Sequence, residues 1–405
     1  MSNVYGGDLR RHTGAKPSRW RLMLALAVAA SVCAVAVGST GAAAAPAMSG
    51  VAATPTAAHT SKDTINQIVA RMQKELPGVP ASLIKQACQE KSLSVLGLAF
   101  ANIQQIVALF HFDMPCLSVD LTSLGGPQLL ARFQSDLAAG HPADIVQSSF
   151  PNVMNDLATQ GAFLKYQPVL AKRPGYRLAI RNPGNWYEFC VAPIGISYNT
   201  NVVSPSAISG ITQWSQLTSL SQGSLANVPI AMVKPVGTGN SSDLVVHAVT
   251  GGLGQTGLQQ LFKGRTVLEA TDSTSPANAV VSGQVGIFIG VESQVVPQIQ
   301  SGAPVRIQFP SPLAVAPFLQ EIPRLAAHPA AAKIFQEWVL SPRGQQLYNT
   351  LGGVVPADTS IADHRSIKAT GWYHLPTKIQ VPTFYGAFVS KLQSEAAFFN
   401  TLKSG

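Results

Sequence analysis

Early in the chain, short apolar runs alternate with amphipathic segments, and this rhythm limits the possible folds. Apolar runs at Val95–Phe100, Leu117–Leu121 and Ala143–Gln147 predict strands, and the segments Ala101–Phe110 and Pro127–Ala139 between them predict helices. Neighbouring parallel strands need a crossover connection, which is usually a helix. The alternation therefore predicts an α/β fold with a mainly parallel sheet.

The length of the chain predicts two lobes. Without residues 1–47, 358 of the 405 residues remain, which is more than one hydrophobic core usually organises. A second group of elements is predicted at Val228–Val233, Asp243–Thr250 and Val285–Ile289. The extended segment Val305–Pro317 would then return the chain to the first lobe.

The amino terminus has the pattern of an export signal. Basic residues precede an uncharged apolar run from Leu22 to Val37, and a Gly/Ala-rich stretch follows up to Ala47. We expect Sec export with cleavage of residues 1–47, and an uncleaved membrane anchor is the alternative. Residues 48–61 are rich in Ala, Pro and Thr, which predicts a disordered spacer.

Removal of residues 1–47 nearly halves the formal net positive charge of the chain. Five of the 28 basic residues and one of the 19 acidic residues lie in 1–47, so the net charge falls from +9 to +5. No run of basic residues interleaved with aromatics remains. The composition therefore argues against nucleic acid as a partner.

The cysteines and glycines give no sign of a metal or a cofactor. Cys88 and Cys116 could pair in an oxidising compartment, which would leave Cys190 over, and buried thiols are the alternative. No CxxC or Cys/His spacing indicates a metal cluster. The motif Gly252-x-Gly254-x-x-Gly257 follows a predicted helix, so we interpret it as a helix stop and not as a dinucleotide site.

The stretch His328–Asp358 predicts two consecutive helices with well-marked boundaries. Pro329 suits a first helical turn, and the apolar residues that follow recur at helical spacing. Ser341-Pro342 predicts a cap and the start of a second helix, and Gly352-Gly353 predicts its end.

A long extended segment, Trp186–Asn199, carries Pro193 and Gly195 at its middle and has the character of a crossover between lobes. The order of the leader, the strand–helix alternation, this crossover and the two late helices resembles that of the extracellular solute-binding proteins of ABC importers. The likeness is to the branch that contains ferric-iron, phosphonate, thiamine and polyamine binders, and it covers Val95–Asp358.

The resemblance implies a two-lobed, periplasmic-binding-protein-like fold of type II, in which each lobe is a mixed, mainly parallel sheet flanked by helices. Residues 62–193 would form the first part of lobe I, including a helical extension at 62–92 that departs from the family. Residues 194–311 would form lobe II, residues 312–351 would return to lobe I, and residues 352–405 would pack on lobe II.

The resemblance also implies a carrier without catalytic groups or cofactor. Such a protein captures a small polar ligand between its lobes and delivers it to a membrane complex of ABC permease and ATPase. It would act as a monomer in the periplasm or outside the cell, on a ligand of the iron(III), phosphonate or other oxyanion, thiamine or polyamine class. A ligand sensor for a receptor kinase is one alternative. A secreted hydrolase built on Ser148 or Ser241 is another, although neither serine has an identifiable His/Asp partner.

Polar residues that follow the predicted strands are the candidate ligand contacts, because ligands of open α/β sheets bind beyond the carboxyl ends of strands. Lobe I offers Asn102, Ser148 and Ser149, and helix capping is the alternative for the two serines. In lobe II a glycine-containing loop precedes a predicted helix, which predicts an oxyanion site or, alternatively, an ordinary capped turn. The candidates in this loop are Gly237, Thr238, Gly239, Asn240 and Ser241.

Glu292 and Ser293 follow another apolar strand. A carboxylate at such a position must be solvated, paired or bound to a ligand, so Glu292 could receive an ammonium group or a metal, or form a plain salt bridge. Tyr187 could stack on a ligand, and core packing is the alternative. A zwitterion such as an aminophosphonate would satisfy both the helix terminus and Glu292.

Paired tyrosines are absent from the chain. Ferric-iron members of the resembled family that use such a pair carry it in the loop that corresponds to Gly290–Gln294, which reads Gly-Val-Glu-Ser-Gln here. The resemblance therefore does not support iron held by paired phenolates.

Overall fold

The structure of the protein is a computed structural model that describes residues 63–178, 181–182, 185–380 and 387–402. The predicted signal peptide and spacer lie outside the described residues. Within these ranges, no helix combines the length and the apolarity that a membrane crossing requires.

The first elements of the chain build one half of a β-sheet. β1 pairs in parallel with both β2 and β3, and helices connect the three strands. The predicted strand–helix alternation is confirmed, with boundaries a few residues from those expected. These elements are α1 (Ile65–Glu75), α2 (Ala81–Glu90), β1 (Ser92–Leu98), α3 (Ile103–Asp113), β2 (Ser118–Leu124), α4 (Gly126–Ala139), β3 (Ile145–Ser148) and α5 (Pro151–Thr159).

The next elements build the other half of the sheet. β6 pairs in parallel with β7 and β8, while β5 runs antiparallel to β8 and β9. The sequence patterns do not predict β7 and α8. These elements are β4 (Arg181–Asn182), β5 (Trp186–Asn199), α6 (Pro205–Ile208), β6 (Ile230–Val233), α7 (Ser241–Phe262), β7 (Val267–Ala270), α8 (Thr274–Ser282), β8 (Ile287–Val291), α9 (Val296–Gln300) and β9 (Val305–Gln308).

Helix α7 is longer than the sequence predicts. The Gly252-x-Gly254-x-x-Gly257 motif interrupts it, because the backbone at Gly254 is not helical and the range to Phe262 joins two helical segments across this kink. Gly254 has φ 66°, a left-handed backbone conformation that glycine adopts without a steric penalty. The helix-stop interpretation is therefore confirmed at Gly254, although a second helical segment follows that the sequence does not predict.

The carboxyl-terminal elements include the two late helices that the sequence predicts, and both are confirmed. The Ser341 hydroxyl accepts a hydrogen bond from Gly344 N at 3.1 Å, which caps the second of these helices. The elements are β10 (Leu313–Glu321), α10 (Pro329–Leu340), α11 (Pro342–Thr350), β11 (Val355–Pro356), β12 (Ile379–Gln380) and α12 (Ala387–Phe399).

Two long strands, β5 and β10, join the halves of the sheet, whose main path has the order β2-β1-β3-β10-β5-β8-β6-β7. The segment of β5 from Trp186 to Pro193 pairs with β10, and the segment from Ile194 to Asn199 pairs with β8 and β9. β10 also runs antiparallel to β3. A single strand thus belongs to both halves, and its changeover falls at Pro193 and Ile194.

The amino-terminal helices α1 and α2 are anchored to the rest of the fold. The Glu90 carboxylate at the end of α2 accepts hydrogen bonds from Ala330 N at 3.1 Å and Ala331 N at 2.7 Å, and so satisfies free amides in the first turn of α10. A disulfide joins Cys88 to Cys116, whose Cα atoms lie 5.1 Å apart. Cys190 is a buried free thiol.

Candidate functional site

A cleft opens where strands from both halves of the sheet end. The space between its lining residues is about 630 Å³, a figure that counts open solvent. Residues that follow β1, β2 and β3 line it from one half, and residues that follow β6, β7 and β8 line it from the other. Ligands of open α/β sheets bind at this end of the strands, so the cleft is the candidate binding site.

Four of the described helices begin at this cleft. The amino termini of α4, α5, α7 and α8 lie at Gly126, Pro151, Ser241 and Thr274, and residues in or next to each first turn line the cavity. First-turn N–H groups have no acceptor within their helix, and the helix dipole adds partial positive charge there. The cleft therefore favours an anionic or oxygen-rich group.

Three of the predicted contacts, Ser149, Asn240 and Ser241, line this cleft together. Ser149 is only 6% exposed, and its hydroxyl has no hydrogen-bond partner among the described residues. The Asn240 Oδ1 atom accepts from Asp243 N at 3.1 Å and so caps α7, and it also accepts from the Ser242 hydroxyl at 2.6 Å. Ser149 thus offers an unused hydroxyl, while the Asn240 oxygen is already engaged.

The loop that begins at Gly237 uses its amides internally. The buried Asp243 carboxylate accepts from Gly237 N at 2.8 Å and Gly239 N at 2.7 Å. Burial raises the pKa of Asp243, and the backbone hydrogen bonds oppose that rise. Gly237, Thr238 and Gly239 are not part of the cleft lining, so the chain's own carboxylate occupies the predicted anion cradle.

Glu292 lies beside the cleft and not in its lining. Its carboxylate is fully buried, where one oxygen pairs with Arg365 Nη1 at 2.6 Å and the other accepts the Tyr373 hydroxyl at 2.6 Å. Burial raises the pKa of Glu292, and the Arg365 guanidinium opposes this shift. Glu292 thus forms the plain salt bridge. The neighbouring Ser293 hydroxyl is buried, and no described residue forms a hydrogen bond with it.

The remaining predicted contacts also lie outside the cleft lining. Asn102 precedes α3 with φ 55°, and its Nδ2 donates to Leu351 O at 3.1 Å. Ser148 is fully buried and donates to Glu321 Oε1 at 2.8 Å. Tyr187 is 3% exposed in the core, and its hydroxyl donates to Tyr166 O at 3.4 Å.

Other cleft residues were not predicted. Gly125, Gly126 and Pro127 follow β2, and Thr271–Thr274 follow β7 and lead into α8. The strand-end rule would have found the first group had it been applied to β2. The second group also has a sequence signal, because Thr-Asp-Ser-Thr-Ser before Pro276 is a typical helix-start composition.

Charge and metal ligands are sparse in this part of the protein. Among the described residues that line the cleft, Asp272 is the one ionisable side chain. Within the described ranges, no group of three or more His, Cys, Asp or Glu side chains is placed to hold a metal ion.

The fold is similar to that of several solved binding proteins. Iron-bound HitA from Pseudomonas aeruginosa superposes with a TM-score of 0.59 at 17% identity, over 76% of this chain and 98% of HitA. AfuA from Actinobacillus pleuropneumoniae, with fructose-6-phosphate bound, superposes with a TM-score of 0.60 at 15% identity, over 78% of this chain and 100% of AfuA. The substrate-binding protein of an ABC transporter from Agrobacterium tumefaciens gives 0.62 at 14% identity, over 77% of this chain and 94% of that protein.

These likenesses identify a two-lobed α/β fold of the type II periplasmic-binding-protein kind, as the sequence predicts. No curated protein matches the sequence. The family model of the bacterial extracellular solute-binding protein matches residues 97–352, which is more than half of the 405 residues. The chain therefore belongs to the bacterial extracellular solute-binding protein family, whose members bind small ligands for import by ABC permeases.

Proposed function

We propose that this protein captures a small solute through an oxyanion group in the cleft and releases it to an ABC permease, without catalysing a reaction. The observation that supports this proposal best is the convergence of four helix amino termini on a cavity that also contains the unpartnered Ser149 hydroxyl. Backbone N–H groups and hydroxyls bind oxyanions by hydrogen bonding, and the helix dipoles favour negative charge.

The proposed ligand cycle uses the two halves of the sheet as lobes. Residues 62–193 and 312–351 would form lobe I and residues 194–311 lobe II, a division that the changeover of β5 between Pro193 and Ile194 supports. The segment 352–405 would pack on lobe II, where α12 contacts α7. Ligand bound at Ser241 would be covered by Ser149 as β5 and β10 bend, and the closed form would dock on the permease.

The cleft favours oxyanions over a bare ferric ion. HitA is iron-bound and AfuA carries a sugar phosphate, so this fold accommodates both ligand classes. No tyrosine or histidine is present among the described residues that line the cleft. Serine and threonine hydroxyls donate hydrogen bonds to a phosphate, phosphonate or carboxylate group. They are weak ligands for ferric iron when no tyrosine phenolate is present.

The alternative functions gain no support from the cleft. A serine hydrolase needs a base within hydrogen-bonding reach of its nucleophile. The Ser148 hydroxyl lies outside the cleft lining and donates to the buried Glu321, and no histidine is present with Ser241 among the described residues of the lining. The sensor alternative rests on no feature of the described fold. We further propose that residues 1–47 direct Sec export and are cleaved, and that the mature protein is a monomer.

Binding can be tested on the full chain purified from an export-competent host. We expect inorganic phosphate, methylphosphonate or fructose-6-phosphate to raise the melting temperature, whereas the cations thiamine and spermidine should not. A ligand at 100 times its dissociation constant stabilises the folded protein by about 2.7 kcal/mol. Stabilisation by the cationic ligands alone would contradict the proposal.

The paired substitution Ser149→Ala with Ser241→Ala tests the site itself. Each lost hydrogen bond to a charged group costs about 1.5–3 kcal/mol, so the affinity for the stabilising oxyanion should fall at least about tenfold. Ser118→Ala, on the exposed face of β2, is the matched control and should leave affinity unchanged. Equal affinity of the paired variant and the control would exclude these hydroxyls from the site.

A further inference from the structure

A buried ion pair lies beside the changeover of β5 between Pro193 and Ile194. Glu292 directly follows Val291, the residue of β8 that pairs with Ile194. Its Oε1 atom lies 2.6 Å from Arg365 Nη1, and neither side chain is exposed to solvent. An arginine–glutamate pair is therefore buried at the place where the sheet passes from one half to the other.

The Arg365 guanidinium also reaches the other side of this changeover. Its Nη1 atom donates to Gly353 O at 3.0 Å. Shortly after Gly353, Val355 of β11 pairs with Val191 of β5. The guanidinium further donates to the Asp363 carboxylate, from Nε at 2.9 Å and from Nη2 at 2.8 Å. One side chain thus connects the end of β8, the approach to β11 and the segment after β11.

Asp363 extends this connection to α11. Its Oδ1 atom accepts from Asn349 Nδ2 at 2.9 Å, and Asn349 Oδ1 accepts from His364 N at 2.8 Å. In the proposed division of the chain, Asn349 belongs to lobe I and Glu292 to lobe II. A continuous set of hydrogen bonds therefore runs from one lobe to the other through Arg365.

The position and burial of this network favour a pivot over a latch that breaks when the lobes separate. Breaking the pair would leave the buried Glu292 carboxylate without its counter-charge, which is strongly destabilising. Hinge motions are absorbed by a few residues, and the groups nearest the rotation axis move least. The network can therefore stay intact while β5 bends beside it.

We infer that Glu292 and Arg365 form a fixed pivot that confines the motion of the lobes to one axis and so positions the two walls of the cleft. This inference rests on the proposed function, because capture depends on closure of the cleft. Both are positioning residues, since neither lines the cleft. A guanidinium suits this role, because its planar fork of N–H groups donates to several partners in fixed directions.

The test measures the distance between the lobes in the absence of ligand. Spin labels are placed at Ser135→Cys on α4 and at Lys263→Cys after α7, two exposed positions in different lobes. Double electron–electron resonance then gives the width of each distance population. The native cysteines do not interfere, because Cys33 is replaced by Ala, Cys190 is buried and Cys88–Cys116 is a disulfide.

The decisive variant is Glu292→Gln with Arg365→Met. It leaves no fully buried charge unpaired, and Gln keeps an acceptor for the Tyr373 hydroxyl. We expect at least about twofold broader distance populations than in the wild type, because the lobes then sample more than one axis. Urea unfolding of the same variant measures stability separately. A purely structural ion pair would change the unfolding midpoint and leave the widths unchanged, which would overturn the inference.

Asp113→Asn with Arg343→Met is the matched control. It removes an ion pair of 2.6 Å that lies within lobe I, so the distance populations should keep the width of the wild type. Equal broadening in the control and in the decisive variant would overturn the inference, because it would indicate general loosening of the fold.

Arg365→Lys decides the question if the decisive variant does not fold. Lysine keeps the positive charge beside Glu292 but lacks the planar fork that also reaches Gly353 and Asp363. We expect broader distance populations here too, and unchanged widths would overturn the inference. Because no ligand is present in these measurements, a failure of oxyanions to stabilise the protein would reject the proposed function alone.

Discussion

At the scale of single residues, three buried carboxylates of the described chain are held in different ways. Glu292 pairs with Arg365, Asp243 accepts backbone amides, and Glu321 has only the Ser148 hydroxyl. The sequence shows that a carboxylate after an apolar strand needs compensation. It could not identify the partner of Glu292, because Arg365 lies 73 residues further along the chain and only the fold brings the two together.

Glu321 gives a pH-dependent prediction. Burial raises the pKa of Glu321 to about 8, and within the described part of the chain its second carboxylate oxygen has no hydrogen-bond partner. A carboxyl group whose pKa is higher in the folded state than in the unfolded state binds more protons in the folded state. Its contribution to the free energy of unfolding is therefore complete at pH values below its pKa in the unfolded state. That contribution is lost as the pH rises toward about 8, by up to about 1.4 kcal/mol per pH unit.

The measurement is urea unfolding of the wild type and Glu321→Gln at pH 5, 6, 7 and 8. We expect the variant to gain stability relative to the wild type as the pH rises, because Gln stays neutral and its oxygen still accepts from Ser148. Glu269→Gln, on the half-exposed strand β7, is the control and should show no such trend. A difference between Glu321→Gln and the wild type that is constant with pH would contradict the assignment.

At the scale of elements, periodicity predicts the buried strands and the capped helices well. β3 and α10 carry continuous apolar signals, and Pro329 and Ser341-Pro342 mark helix starts that the structure confirms. β7 escapes prediction because all its residues are half-exposed at the sheet edge, so no apolar run marks it. With β7 missed, the cleft residues Thr271–Thr274 that follow it were missed too.

The disulfide between Cys88 and Cys116 ties α2 to the loop after α3. The sequence left this pairing open, because spacing alone does not fix the distance between two thiols. Cross-linking residues 28 apart restricts the unfolded chain, so Cys88→Ser with Cys116→Ser should lower the free energy of unfolding by about 3 kcal/mol. Urea unfolding with and without reductant measures this. Reductant should destabilise the wild type and leave the double variant unchanged, and an unaffected wild type would contradict the prediction.

At the scale of the whole molecule, the loop before α7 contacts α5 beside the cleft, at Gly239 and Asn152. In the proposed division of the chain, this is a contact between the two lobes. A Cβ atom built on Gly239 would lie 2.6 Å from Asn152 Nδ2, so the backbone of the α7 loop meets the side chain of α5 directly. Asn152 is 8% exposed, and neither its amide nitrogen nor its oxygen has a hydrogen-bond partner among the described residues. The family fold predicts such a contact region, but the sequence does not identify which residues form it.

This contact predicts opposite effects for two substitutions at one position. A buried polar group without a partner costs about 1–3 kcal/mol, so Asn152→Ala should favour the state in which the lobes touch. Asn152→Trp should hold the lobes apart, because no space exists for it against Gly239. Apparent affinity scales with the fraction of protein in the binding-competent state. Affinity for the best oxyanion of the thermal-shift panel should therefore rise, by up to about tenfold, in the first variant and fall in the second.

Small-angle X-ray scattering without ligand should give a smaller radius of gyration for Asn152→Ala than for Asn152→Trp. The variant with the smaller radius should also have the higher affinity. Gln160→Ala, exposed beyond the carboxyl end of the same helix, is the control and should match the wild type in both measurements. Changes of affinity in the same direction for both Asn152 variants would show that this contact does not govern closure. The contact would then act on the fold of α5 alone, and closure would be controlled elsewhere along β5 and β10.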